Sequence, residues 1–437
     1  MTERPEAASA GSWPTISLGD AAEITSGPAF QSSRFTEDAD DVPLLRGMNV
    51  GVGATNWSST KRWPRSEYDK YKRYALGAGD VILAMDRPWI TDGLKLLVLG
   101  ATDLPALLVQ RVARIRASRN VDQRFLSGVL RSEPFAEYLK AVTTGTAVPH
   151  ISGGDIADFQ FLLPPIDSQR RIGCFVRALD ELIEINERRI EVLEDLARSL
   201  YREWFVRLRF PGSEKVGLVD SELGPIPEGW GVGTLGGIAR WYSGGTPSTK
   251  NPDYWDGSIP WITSGSLTSM LLDSSERRLT DEGVRAGSRL VDRDTVLFVV
   301  RGMSLVREFR VGLADCSLAF GQDCKALVAN AGTDPLFLAF TIFDKQSDIQ
   351  AMVELAGHGT GKLSTDRVKA VAFPLPPEQI QLEFASAIRP IRELMSTLVA
   401  QTRRHRGLRD LVLPRLVTGQ LDISDIDLGV LTPPEAA

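Results

Sequence analysis

The chain is predicted to be an α+β protein, with two duplicated α/β-mixed heads separated by two long helices packed as an antiparallel coiled coil. Three observations predict this. An internal repeat recurs at a spacing of 212 to 217 residues, a Leu-Pro-Pro block closes each copy, and a run of apolar heptads follows each block. With 437 residues, 43% hydrophobic and 24% charged, the chain is long enough for two or three domains with sizeable cores.

The first head is assigned to residues 12–165 and the second to 229–377. W-P-T-I-S-L-G-D-A-A-E-I-T-S-G-P from Trp13 returns from Trp230 as W-G-V-G-T-L-G-G-I-A-R-W-Y-S-G-G-T-P. V-P-L-L-R-G-M-N from Val42 matches I-P-W-I-T-S-G-S from Ile259. G-D-V-I-L-A-M-D-R from Gly79 matches R-D-T-V-L-F-V-V-R from Arg293, which sets Arg87 opposite Arg301. T-G-T-A-V-P-H-I-S from Thr144 matches A-G-H-G-T-G-K-L-S from Ala356, and F-L-L-P-P from Phe161 matches F-P-L-P-P from Phe373. Five matches in one order indicate a duplication. Short β-rich runs such as Val81–Met85 and Thr295–Val300 fill the heads, with one helix around Phe125–Val142 and another around Leu336–Leu355.

The first long helix is assigned to residues 166–210. Ile172, Val176, Leu179, Ile183, Asn186, Ile190, Leu193, Leu200 and Trp204 fall on a 4-3-4-3 seam, the spacing of a coiled coil rather than of a simple amphipathic stripe. Asn186 puts one polar residue into that seam. Residues 211–228 read as an exposed linker rich in Gly and Pro. The second long helix is assigned to 378–422, with Ile388, Ile391, Met395, Leu398, Leu408 and Val412 on its seam. Thr402 and His405 interrupt it, Pro390 suggests a kink, and Pro414 a stop. The first helix mixes charges and the second is mainly basic, which suits them as partners.

Composition excludes several functions. A net charge of −6 argues against a protein that coats nucleic acid over its whole surface, while leaving room for local basic patches. The three cysteines form no C-x-x-C pair, as expected in a reducing cytoplasm. Neither a leader nor a membrane span is expected, because no apolar run follows a basic N-terminus or reaches about 18 residues. Gly357–Ser364 falls short of a phosphate loop, since Ala356 and Leu363 stand where Gly and Ser/Thr are required. Three His and three Cys lack metal-ligand spacing. No methyltransferase tetrad or nuclease cluster is present, so no catalytic residue, metal or cofactor is expected on this chain.

DNA contacts are a better match. Lys61, Arg62, Arg65, Lys72 and Arg73 are interleaved with Trp63, Tyr68, Tyr71 and Tyr74, a mixture that can neutralise phosphates and stack on bases. Arg46, Asn49, Arg87 and Arg301 have the chemistry to read guanine or adenine edges. Ser243, Gly245, Thr246, Ser248 and Lys250 form a polar loop whose amides can meet a phosphate. His150 and Lys362 occupy equivalent loops. These residues alone also allow a stand-alone bivalent DNA-binding regulator.

The duplicated heads, L-P-P-x-x-x-Q ending at Gln169, L-P-P-E-Q ending at Gln379, L-R-D-L-V-L-P-R-L-V-T-G-Q-L from Leu408, and S-G-G-T-P-S with I-P-W-I-T-S together resemble one family. The chain is similar to the specificity subunit of type I restriction-modification enzymes. The resemblance covers nearly the whole chain. It implies that each head reads one half of a bipartite sequence in double-stranded DNA. The helices would then set the gap and dock two copies of an adenine-N6 methyltransferase (modification) subunit. S-adenosylmethionine would bind those partners, and ATP and Mg the two restriction/translocase subunits of a full complex. The first head departs from the pattern: S-G-P-A-F from Ser26 replaces the Gly-Gly-Thr-Pro loop, so its loop contacts do not carry over directly.

Overall fold

The structure, a computed structural model, describes residues 13–90, 93–143, 149–356 and 359–423. Residues 144–148 of the fourth repeat block, and Gly357 and His358 of its counterpart, lie outside the described residues. The chain divides into two units, Met1–Glu184 with Thr402–Ala437, and Ile185–Gln401. Each unit therefore combines one head with a piece of both long helices.

In the first unit, a four-stranded antiparallel sheet runs in the order Ala22–Ser26, Val112–Ala117, Val81–Ala84, Leu96–Val98. Val42–Leu45 pairs with Arg62–Trp63 on one side and with Leu107–Leu108 on the other. The single helix expected around Phe125–Val142 is two helices, Gln123–Leu130 and Glu133–Thr143. Pro134 explains the break, because proline is tolerated in a first turn and not in a helix interior. The core joins Ile115, Phe125 and Phe135 to Ile172 and Val176 of the first long helix and to Leu413, Leu416 and Val417 of the second.

The second unit repeats this plan with one strand more. Its main sheet runs Ala239–Ser243, Cys324–Ala329, Val296–Val299, Val311–Ala314, Leu271–Leu272. A four-stranded sheet around Trp255–Ile262 flanks it, and a small sheet joins Arg301–Gly302, Thr360–Lys362 and Glu354–Ala356. Here too the expected helix around Leu336–Leu355 is broken, into Pro335–Asp344 and Gln346–Gln350. Phe337, Phe340 and Phe384 close around Tyr201 and Trp204.

The long helices are Ile166–Tyr201, continued by a π-turn at Arg202–Val206, and Glu378–Val417. In each unit the start of one helix packs with the end of the other, so the two run antiparallel. Asp180 meets Arg409 in the first unit, and Trp204 meets Phe384 in the second. Ile172, Val176, Leu179, Ile183, Asn186 and Trp204 are buried, while Ile190, Leu193 and Leu200 are half-buried. Ile388, Met395 and Leu398 are buried and Ile391 is half-buried.

Two expectations for the second helix are corrected. Pro414 does not end it: buried Leu413 and Leu416 flank the proline, and this packing holds the backbone helical to Val417; the helix is also assigned without a break through Pro390. Leu408 is exposed, because Arg409 takes the inward position to reach Asp180 at 3.1 Å; the seam runs on through Thr402, His405 and Arg409, then the half-buried Val412 and buried Leu413. Residues 211–228 are mostly exposed, as expected, and are anchored at one point by buried Ile226. Leu218–Val219 pairs with Ile226–Pro227, and Phe210 and Ile226 pack near Trp230.

The repeat is visible in its hydrogen bonds. Gln169 accepts from the Asp122 amide at 2.9 Å and donates to the Pro164 carbonyl at 2.8 Å. Gln381 does the same with the Asp334 amide and the Pro376 carbonyl, both at 3.0 Å. Gln381, 212 residues beyond Gln169, is thus its counterpart, while Gln379 lies on the surface and bonds Glu383. Asp122 and Asp334 each cap the helix that follows them.

A second shared position reverses sign. Asp180 on the first long helix binds Arg131 and Arg409. Arg392, the matching residue of the second, is buried and binds Asp294 at 2.8 Å and Asp315 at 3.1 Å.

Candidate nucleic-acid interface

The strand register first corrects the alignment of the two heads. The Met85 amide donates to the Arg111 carbonyl, and the Val300 amide to that of Asp323. Ile151 donates to Met85 and Leu363 to Val300. Asp86 bridges to His150, and Arg301 pairs with Lys362. The counterpart of Arg301 is therefore Asp86, and that of Arg87 is Gly302, not Arg301. Both Arg87 and Gly302 have positive φ, 44° and 148°. His150 and Lys362 are equivalent, as the sequence indicates.

In the second head this register builds a cleft. Val300, Arg301, Gln322, Asp323, Lys325, Lys362, Leu363 and Thr365 line a cavity of about 340 Å³. Arg301 and Lys362 end adjacent strands of the small sheet, and Lys325 projects from the strand Cys324–Ala329. Lys325 Nζ donates to Ser243 Oγ at 2.5 Å, which brings the polar loop to the same place. Arg301, Lys325 and Lys362 form no ion pair among the described residues. Three unpaired cations in one concave site favour an anion with several charges, such as a nucleic-acid backbone. Sequence reasoning missed Lys325. Its signal is a lone lysine between buried Cys324 and Ala326 in an otherwise apolar strand.

The rest of the loop does something else. The Gly245 amide donates to the Phe320 carbonyl, so it is not available to a phosphate. A Cβ on Gly245 would sit 2.1 Å from the Gly287 carbonyl oxygen, so glycine serves close backbone packing here. Trp255 and Trp261 donate to the carbonyls of Ser248 and Gly245. Thr246, Ser248 and Lys250 remain exposed.

The matching place in the first head neutralises itself. Asp86 lies 2.6 Å from His150 Nδ1 and 2.7 Å from Arg111. Burial tends to raise the Asp86 carboxyl, but the bonds from His150 and Arg111 prevail and hold it below the usual carboxylate range. Ala113 stands where the second head has Lys325. Arg87 is exposed, with its amide bonded to the Pro149 carbonyl.

The aromatic-basic segment also needs correcting. Arg65–Tyr74 is a 3-10 helix, in which residues three apart share a face. Tyr68, Tyr71 and Tyr74 have that spacing; Tyr68 and Tyr71 turn toward a small core with buried Trp63 and Phe30, and Tyr74 toward a neighbouring one. Packing in these cores gives the rings a structural role. Lys61 pairs with Glu37, Arg62 binds the Asp41 carbonyl, and Arg65 binds Asp41 and Asp40. Lys72 and Arg73 remain exposed on this segment without an ion pair among the described residues. Asn49 is wholly buried: its side chain accepts from the Arg46 amide and donates to the Asn56 carbonyl. It shapes a turn and cannot reach a base. Arg46 is half-buried and donates to the Ser59 carbonyl.

Among the described residues, no group of three or more His, Cys, Asp or Glu is placed to hold a metal ion. No helix among them is long and apolar enough to cross a membrane.

The family described as type I restriction modification DNA specificity domain matches residues 11–195 and again residues 227–403. The chain is 32% identical over 189 residues to the type I restriction enzyme MjaVIII specificity subunit of Methanocaldococcus jannaschii, covering 43% of this chain and 44% of that protein. It is 34% identical over 175 residues to the EcoAI specificity subunit of Escherichia coli, covering 39% and 28%. The chain thus spans less than half the length of these two curated relatives. The solved S subunit of a type I restriction-modification system from M. genitalium shares its fold, with a TM-score of 0.58 at 14% identity over 97% of this chain and 99% of that one.

Proposed function

Since the chain belongs to the family of type I restriction-modification DNA specificity domains, we propose that it is the DNA-recognition subunit of a type I restriction-modification complex. Each head reads one half of a bipartite target in double-stranded DNA. The two long helices set the gap and dock two adenine-N6 methyltransferase subunits. The chain contributes no catalytic residue and binds no cofactor of its own. The methyltransferase subunits hold S-adenosylmethionine, and two restriction/translocase subunits of the full complex use ATP and Mg.

The observation that carries this reading is the cleft of Arg301, Lys325 and Lys362, three cations without an ion pair among the described residues. In the second head these groups, with Lys250, meet phosphates or guanine edges. In the first head Lys72, Arg73 and Arg87 meet the duplex, and His150 acts through Asp86. Two linked heads bind as one ligand, so modest half-site affinities combine through effective concentration. The adenine must leave the stack to be methylated, and this chain brings the base-flipping partner to its place.

The test is to co-express the chain with an adenine methyltransferase encoded beside its gene and map methylated adenines by long-read sequencing. The expected result is a split motif, with a fixed gap of unspecified bases and one methylated adenine in each half. Absence of methylation, with the two proteins failing to copurify, overturns the reading in favour of a stand-alone DNA binder.

A further inference from the structure

The small sheet of the second head has two unlike faces. Arg301, Lys362 and Glu354 lie opposite one another in one row, so their side chains leave the same face. The next row is Gly302, Gly361 and Leu355. The turn Ser304–Val306 packs over this row at Gly361, where a Cβ would meet the Val306 nitrogen at 3.1 Å, yet Leu355 at its edge is 71% exposed. Met303, directly after Gly302, is 73% exposed. Large apolar side chains this bare are unusual where the adjoining residues offer so much charge.

The first head also exposes apolar side chains beside a cation, though at other positions of the repeat: the counterpart of Met303 is Pro88, and that of Leu355 is the buried Thr143. Lys95 reaches the Gly47 carbonyl and Arg310 the Ser264 carbonyl, which aligns these loops. Beside them Met48 and Ile90 are again exposed, next to Arg87.

We infer that Met303 and Leu355 are specificity-determining contacts to duplex DNA, packing on thymine methyl groups in the major groove while Arg301 and Lys362 hold the phosphates. The inference rests on the DNA-recognition reading and adds the mode of readout. Its occupant follows from charge: an apolar tip flanked by unpaired cations fits an anionic polymer that also exposes methyl groups. The major groove admits a pair of β-strands, and its thymines present the C5 methyl there.

The test uses the full chain in complex with its methyltransferase partner, and duplexes carrying the mapped target. Each thymine in turn is replaced by deoxyuridine, which lacks only the methyl group. The half-site read by the second head is the one whose sequence changes when residues 229–377 are exchanged for the second head of a relative. Wild type is expected to lose about three- to tenfold in affinity at one or two thymines of that half-site. Met303→Ala and Leu355→Ala should bind the unmodified target more weakly by a similar factor and become indifferent to the same deoxyuridine. A flat scan overturns the inference, as does an equal loss for both variants on every sequence. Normal DNA binding with loss of the methyltransferase would also overturn it, by assigning the patch to a protein. If wild type prefers no sequence at all, the DNA-recognition reading itself fails, a distinct outcome.

Discussion

Replacing Gln381 by Ala removes one side chain and strands two backbone groups. Gln381 is 1% exposed, and its amide is the partner given to the Asp334 N–H and the Pro376 C=O. A buried polar group left without a partner costs about 1–3 kcal/mol. Two such groups, with the small void, give an expected loss of about 3–5 kcal/mol. The effect should spread, because Asp334 also caps the helix Pro335–Asp344, whose Phe337 and Phe340 pack with Tyr201 and Phe384. Gln381→Met keeps the volume and loses the bonds, so it should recover less than half of the loss. The assay is urea unfolding followed by tryptophan fluorescence, since Trp204, Trp230, Trp241, Trp255 and Trp261 all lie in this unit. With a slope of about 2–3 kcal/mol/M for a unit this size, the midpoint should fall by about 1–2 M. A shift below about 0.3 M for the Ala variant, or full recovery by Met, would refute the reasoning that the two hydrogen bonds lock the helix to the head.

Other outcomes follow from the same geometry. Arg301→Ala, Lys325→Ala and Lys362→Ala should each flatten the salt dependence of DNA binding by about one counterion, as measured by anisotropy across a salt series; a residue reading a base should also relax preference at one position. Gly245→Ala should cost about 1–3 kcal/mol of stability in urea, because its Cβ meets the Gly287 carbonyl, whereas a phosphate-loop role would alter DNA affinity alone. Burial raises the Asp180 carboxyl, but Arg131 and Arg409 together bring it below its ordinary value. Its contribution is therefore present above the unfolded carboxylate value of about 3.9 and is lost as pH falls through the lower folded value. Asp180→Asn should accordingly lose less stability than wild type when unfolding is followed from pH 5 to pH 3.

The features legible in the sequence were those with long-range periodicity. The heptads around Ile172–Ile183 and Ile388–Leu398 marked the helices, and the Pro-Pro blocks marked where each begins. What failed was local. Matching the arginines of M-D-R and V-V-R slid the third block out of step by one, since apolar strands offer nothing to hold the register. Leu408 looked like a seam residue because an apolar pattern does not foresee that Arg409 turns inward to a buried carboxylate. The tyrosines at 68, 71 and 74 looked like a stacking platform. Their spacing of three was in fact the mark of a 3-10 turn with one face inward. Lys325 went unnoticed because a single cation in a strand has no pattern; only pairing with Ser243 and the strands beside it brings it to Arg301.

The reversed sign at residues 180 and 392 bears on how such a chain can change. After duplication, the first copy placed a carboxylate against two arginines, and the second a guanidinium against two aspartates. A recombinant that set one copy's helix segment against the other copy's head would face like charge with like at a site with little water. That mismatch would act as a lock with two different keys, disfavouring assembly of one half on the scaffold of the other whatever the loops at the reading surface become.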